Sequence, residues 1–262
     1  MCGIAGILNL RHADTPLAGP VQAMTERMRH RGPDDEGYLL IGASGASSTF
    51  YGNDSAMLPA DQDVPPGFPR QHIDAAGAGF LAFGHRRLSI IDLTEHGHQP
   101  MCTADGRYWI VFNGEIYNYR EIAADLRREG IRLHGHSDTE VLVNAYALWG
   151  PGCLDRFNGM FAFAIWDNSE RRLFCARDRI GIKPFYFTLC GDNFIFGSDI
   201  KTILASGLYE AEPDPEGLYL AMTFGIAPRP KTAFRGIEAL PQAHWLLVDE
   251  NGNIRCSRFW SI

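Results

Sequence analysis

The chain has 262 residues, of which 45% are hydrophobic and 21% charged, enough for one large domain or two small ones around a buried core. Its net charge of -7 excludes nucleic acid as a main partner, because phosphate contacts need a basic face, and the run from Arg27 to Arg31 reads as a solvated helix end. No stretch approaches the ~18 apolar residues of a membrane helix, no signal peptide opens the chain, and six cysteines without a C-x-x-C pair fit neither a zinc ribbon nor a disulfide framework, so a cytoplasmic location with reduced thiols is expected.

In chain order, residues 3–10 read as a buried strand. Residues 21–29 have helical spacing at Val21, Met24 and Met28 and stop before Gly32-Pro33. A short apolar strand follows at 38–41. Residues 42–77, rich in Gly, Ser, Ala and Pro, read as a long surface loop or insertion. Strands resume at 79–83 and 108–112. Asn118-x-x-Glu121 and Ser137-x-x-Glu140 each fit a capping box and open helices ending at Gly130 and Gly150. Hairpins are expected at 160–176 and 185–196, a helix at 199–205, a further helix opened by Asp214-Pro215, and a last hairpin at 245–259 turning at Asn251-Gly252. Many antiparallel strands with helices between them give an α+β class, two antiparallel sheets covered by helices. No run of β-α-β units supports a doubly wound parallel sheet.

The strongest chemical signal is the start, Met1-Cys2-Gly3-Ile4-Ala5-Gly6. Cys2 has a small side chain, so an aminopeptidase can remove Met1 and leave a thiol and a free α-amine on one residue. An α-amine of pKa ~8 is partly neutral at working pH. It can take the thiol's proton directly or through one water, so the nucleophile needs no histidine or lysine. Glycines at 3 and 6 let a substrate or another backbone lie close to this strand. The plainer alternative is a buried cysteine with no chemistry.

A site in which that thiol attacks the side-chain carbonyl of an amino acid needs a cation for the carboxylate, an anion for the ammonium and donors aimed at the carbonyl oxygen. Arg87 can grip a carboxylate with two parallel N–H bonds. The Asn113 side chain and the Gly114 N–H can make an oxyanion hole. Asp138 can pair with an ammonium. Each has an ordinary structural reading when taken alone: a surface ion pair for Arg87, a hairpin turn for Asn113-Gly114, service to a helix N-terminus for Asp138. Asp178 and Arg179 read as a structural ion pair near a turn. His96-Gly97-His98 and His134-Gly135-His136 lack the Cys or Glu cluster that completes a tetrahedral set, so no metal site is expected.

Taken together, these residues resemble the class II glutamine amidotransferases, the N-terminal nucleophile hydrolases, and most of all the glutaminase half of glutamine-dependent asparagine synthetase. The stretches that carry the resemblance are MCGIAGI at the start, RHRGPDDEG at 29–37, GHRRLSIIDL at 84–93, FNGEIYNYREI at 112–122, HSDTEVL at 136–142, FNGMFAFAIWD at 157–167, ARDRIGIKPFYF at 176–187 and FGSDIKTILAS at 196–206. They cover most of the chain except 42–77. The resemblance implies one glutaminase domain over residues 1–262, a four-layer αββα sandwich with the cysteine at the end of a central strand. It implies Cys2 as nucleophile with its own amine as base, and Arg87 on the substrate carboxylate with backbone groups of Leu88 and Ile90 lining the pocket. Asn113 and Gly114 would form the oxyanion hole, and Glu115 and Asp138 would hold the substrate amine.

The resemblance also implies a partner, an ATP-dependent synthetase domain that is C-terminal or separate. Its S-G-G-x-D-S pyrophosphate loop is absent here, so ATP and magnesium are expected only with that domain and no cofactor in this chain. Residues 160–165 are a candidate wall for an ammonia channel, or a plain core strand. Two rival functions stay open: the same glutaminase chemistry serving a sugar, peptide or antibiotic precursor, and a catalytically silent domain for assembly or glutamine sensing. A homodimer is left open as well.

Overall fold

Alternation of apolar side chains builds two sheets in the computed structural model, which describes residues 1–55, 65–91, 94–249 and 251–261. The first sheet runs in the order β12 (Ile237–Ala239), β10 (Tyr186–Cys190), β11 (Asn193–Gly197), β1 (Gly3–Asn9), β5 (Leu81–Arg87), β2 (Asp35–Ile41), β3 (Ser47–Tyr51) and β4 (Gln71–His72). The second runs β14 (Ile254–Arg258), β13 (His244–Val248), β9 (Arg172–Arg177), β8 (Gly159–Asp167), β7 (Tyr108–Ile116) and β6 (Met101–Cys102). Pairing is antiparallel throughout except between β3 and β4. Helices α1 (Ala18–Arg27) and α5 (Ile200–Ala205) pack on the first sheet, and α2 (Tyr119–Arg128) and α3 (Asp138–Trp149) on the second; α4 (Cys153–Arg156) and α6 (Pro215–Phe224) complete the set.

The period of 2 decides which residue meets which layer. Ile4 and Leu8 of β1, Phe83 of β5, Trp109 and Val111 of β7, and Ala162 and Ala164 of β8 fill the space between the sheets. The residues between them point outward. Ala5, Ile7 and Ala82 meet Val21 and Met24 of α1, and Ile110, Phe112, Phe161 and Phe163 meet Leu126 of α2 and Leu142 of α3. The result is an αββα sandwich. Each large apolar side chain buried this way contributes about 1.5–3 kcal/mol. A one-residue slip of β5 would turn Phe83 out of the inter-sheet core, so the register is strongly specified.

Several expectations need correction. The 42–77 segment is more than a loop: β3 pairs with β2 along Gly37↔Tyr51 to Ile41↔Ser47, and Phe50 is buried against Tyr38 and Leu40. The β-forming run Thr49-Phe50-Tyr51 was masked by its small polar neighbours. Residues 56–64 of that segment, and Asp92 and Leu93 of the 84–93 stretch, lie outside the described residues. Asn118 does not cap α2; its side chain bridges to Arg156 O at 2.9 Å and Asn158 N at 2.9 Å. Ser137 does cap α3, accepting from Glu140 N at 3.2 Å, but Glu140 reaches to the N–H groups of His134 and Gly135 instead of back to Ser137.

Asp178 and Arg179 form no ion pair. The Asp178 carboxylate accepts from the N–H groups of Phe161, Ile180, Ile182 and Lys183, while Arg179 donates to the carbonyls of Phe157 and Asp155. Adjacent residues leave the chain in different directions, and the buried Asp178 is needed as a hub for loop amides.

Candidate active site

The alternation that fills the inter-sheet core also builds the site. Cys2 lies two residues before Ile4, Arg87 four after Phe83 and Asn113 two after Val111, so each continues the inward face beyond the last apolar layer. Cys2, Arg87, Leu88, Ile90, Asn113, Gly114, Glu115 and Asp138 all line one pocket of about 190 Å³ at this end of the sandwich. Every residue singled out from the sequence as a site candidate is therefore in one place.

The Cys2 thiol sits at the mouth of β1. Its Sγ is 3.4 Å from the Leu88 N–H and 3.7 Å from the Leu88 carbonyl. Burial pushes the thiol pKa up; the Leu88 N–H, the Met1 ammonium, Arg87 and Lys183 act in the opposite direction without overcoming it. The carbonyl of Cys2 accepts from Arg31 Nε at 3.3 Å, and Arg31 also reaches Asp199 at 3.8 Å. This corrects the reading of the 27–31 run as solvated, since its last arginine is folded against Cys2. The glycines near Cys2 make room for neighbouring side chains. A Cβ at Gly3 would lie 2.8 Å from Met28 Sδ, and one at Gly6 would lie 2.2 Å from the Phe196 ring.

Asn113-Gly114 is not a turn. Both residues are inside β7, paired with Ala162 and Phe161 of β8. A Cβ at Gly114 would lie 2.3 Å from Met160 O and 2.8 Å from Phe161 Cα, so only glycine fits. Asn113 is 1% exposed, and neither Oδ1 nor Nδ2 has a hydrogen-bond partner among the described residues. An unpaired buried amide costs about 1–3 kcal/mol for each group left unsatisfied. A cost of that size, carried on a pocket wall beside a thiol, marks a group built to bind something that arrives.

Two carboxylates, Glu115 and Asp138, share the pocket with Arg87. Asp138 opens α3 and accepts from Ile116 N at 3.0 Å; burial, with Glu115 adding to it, pushes its pKa up to about 6. Arg87 ends β5 and donates to the Thr94 carbonyl at 2.9 Å. Several lining residues were missed from sequence. Lys183, 5% exposed, adds positive charge near Cys2. Gln99 accepts from Phe112 N at 2.7 Å and donates to Thr139 at 3.1 Å, tying a loop to the strand of Asn113 and to α3. A lysine inside the apolar loop Ile180 to Pro184 was the only sequence signal for the first; nothing marked the second.

Elsewhere, Glu26, Glu36 and Asp54 bring carboxylate oxygens within 4.8 Å of one another. Buried Arg86 already serves that cluster, at 2.8, 3.1 and 2.6 Å respectively.

The sequence matches the family described as "Glutamine amidotransferase domain" over residues 72–260. It is 35% identical to asparagine synthetase [glutamine-hydrolyzing] 3 of Bacillus subtilis, over 100% of this chain and 37% of the relative. It is 32% identical to putative asparagine synthetase [glutamine-hydrolyzing] 2 of Methanocaldococcus jannaschii, over 100% of this chain and 47% of the relative. The chain thus spans less than half the length of these relatives. Among solved structures, glutamine phosphoribosylpyrophosphate amidotransferase of B. subtilis superimposes with a TM-score of 0.68 at 18% identity, covering 99% of this chain and 49% of that one. That likeness shows the fold, the N-terminal nucleophile hydrolase sandwich. The family match covers well over half of the sequence, and the chain belongs to the class II glutamine amidotransferases.

Proposed function

We propose that this domain hydrolyses glutamine to glutamate and ammonia through a γ-glutamyl thioester on Cys2, once Met1 has been removed. The observation that carries this reading is the unpaired, buried Asn113 amide in the same pocket as the Cys2 thiol. Glutamine's α-carboxylate lies on Arg87 and its ammonium between Glu115 and Asp138, which carries its side-chain amide toward Cys2. The α-amine of Cys2 takes the thiol proton, and sulfur attacks the amide carbon. The oxygen's charge is met by Asn113 Nδ2 and the Gly114 N–H. The ammonium returns its proton to the departing nitrogen, the C–N bond breaks, and ammonia leaves. Water then adds to the thioester, giving its proton to the amine, and glutamate departs as the thiol is restored. Purified chain should release ammonia from glutamine, and a Cys2→Ala variant should not; equal release by both would reject the reading.

The relatives are named glutamine-hydrolysing asparagine synthetases and are more than twice as long as this chain over what they share. We infer that the ammonia goes to an ATP-dependent half that amidates aspartate, in the cytoplasm, with ATP and magnesium bound there and no cofactor here. The end of α6 and the residues after it expose Met222 at 87%, Phe224 at 65% and Ile226 at 63%. Such an apolar patch fits a face that meets that larger half. No described helix is long and apolar enough to cross a membrane.

A further inference from the structure

Behind Arg87 lies a buried pair that the reaction above does not use. His98 Nδ1 is 2.7 Å from Asp35 Oδ2, and both residues are buried. Asp35 stands directly across from Arg87 in the β2–β5 register. Its other oxygen, Oδ1, is buried with no hydrogen-bond partner among the described residues. Burial alone would raise the Asp35 carboxyl, but His98, the hydrogen bond and the Arg87 charge outweigh it, so its pKa is lowered and it stays anionic.

His98 is itself held from two sides. On one, Gly37 makes room: a Cβ there would lie 2.4 Å from His98 Nε2. On the other, the Phe68 ring lies 5.1 Å from the imidazole, centroid to centroid. Phe68 comes from the segment between β3 and β4 and is anchored beside it. Gly67, at φ 75°, is packed so closely that a Cβ would lie 2.6 Å from the Trp109 ring, and the Pro66 carbonyl accepts from Cys102 Sγ at 3.4 Å. The next residue after His98 is Gln99, which bonds to the strand of Asn113.

We propose that His98, clamped by Phe68, is a positioning residue that holds Asp35 as the fixed anionic backing of Arg87, and so sets the affinity for the substrate's α-carboxylate. The inference rests on the glutaminase reading of the pocket. A fixed negative charge across the strand pair from Arg87 favours a set position of its guanidinium without a direct bond to it, which is the role outer partners serve around a binding group. The segment read from sequence as a surface loop or insertion thus reaches His98 through the Phe68 ring.

The test compares two ligands in the full chain. His98→Ala should raise KM for glutamine about tenfold, with kcat within about twofold of wild type. The inhibition constant of 4-aminobutanamide, which has the amine and the amide but no α-carboxylate, should change less than about twofold, because it never engages Arg87. His98→Asn, which keeps a donor where Nδ1 stood, should bring KM back to within about threefold of wild type, and Phe68→Ala should raise it in part. An unchanged KM in His98→Ala overturns the inference. So does an equal loss for both ligands, since a loosened fold would weaken both. If the wild type releases no ammonia, the glutaminase reading fails by itself, and the same ratio is then read from calorimetric affinities for the two ligands.

Discussion

Leu88 offers Cys2 both of its backbone polar groups, the N–H at 3.4 Å from Sγ and the carbonyl at 3.7 Å. The thiol therefore has an acceptor in its resting form, and the thiolate has a donor as it forms, with no side chain moving between the two. Burial raises the thiol pKa. A base beside the sulfur is then needed, and in the proposed reaction it is the α-amine that Cys2 gains when Met1 leaves.

Asn113→Ala should lower kcat on the order of a hundredfold or more, since loss of one oxyanion donor costs ~2.7–4 kcal/mol in the transition state. The same variant should melt no lower than wild type, because it deletes two buried polar atoms that have no partner in the resting protein. Steady-state kinetics with a thermal melt checks both. Unchanged kcat, or a fold lost together with activity, would remove Asn113 from this role.

Asp138 gives a pH signature. Its pKa is pushed up to about 6 by burial, so in the free protein the carboxylate forms as pH rises through that value. The kcat/KM for glutamine should rise with pH along a limb near pH 6, and Asp138→Asn should remove the limb and lower the plateau. Stability runs the other way. A carboxyl raised above its unfolded value of ~3.9 favours the fold when protonated, and that contribution is lost as pH climbs through about 6. Asp138→Asn should then be more stable than wild type at pH 8, by about 1–3 kcal/mol, with the gap about half as large at pH 5 and closing below pH ~4. Denaturation at the two pH values measures it.

Arg87→Ala should act mainly on KM. Removing one partner of a charge pair in a buried site costs about 2–5 kcal/mol, so KM should rise about thirtyfold or more with a smaller change in kcat. A normal KM would reject Arg87 as the carboxylate clamp.

Gly114→Ala should fail in a different way. The added carbon would stand 2.3 Å from Met160 O and 2.8 Å from Phe161 Cα, both backbone atoms of the paired strand. The strand pair has to part for it to fit, so a loss of stability above about 3 kcal/mol is expected, read from a denaturant melt. A variant as stable as wild type would contradict the close packing of β7 on β8.

Much of this site was legible from residue type and spacing because the pocket prolongs the alternating core. Residue type offered Cys2, Arg87 and Asn113, and only their combination singled them out, since each had an ordinary structural reading alone. Asn113-Gly114 was ambiguous, since the same dipeptide makes hairpin turns; β8 settles it by pairing straight through. Lys183, Gln99 and Thr139 were not legible because they arrive from loops and a helix start, where no period says which way a side chain points. The Asp178 error has the same root: sequence adjacency suggested a partner, whereas the carboxylate is used up by four backbone N–H groups. Phe68 was hidden by its surroundings, a stretch whose Gly and Pro content reads as open loop.

Intact mass before and after a γ-electrophilic glutamine analogue tests the central claim most directly. The account predicts protein lighter than its encoded chain by one methionine, gaining a single adduct that peptide mapping places on Cys2, with ammonia released from glutamine in the untreated sample. Protein that keeps Met1, or that takes no adduct at Cys2 under conditions where it binds glutamine, would contradict it.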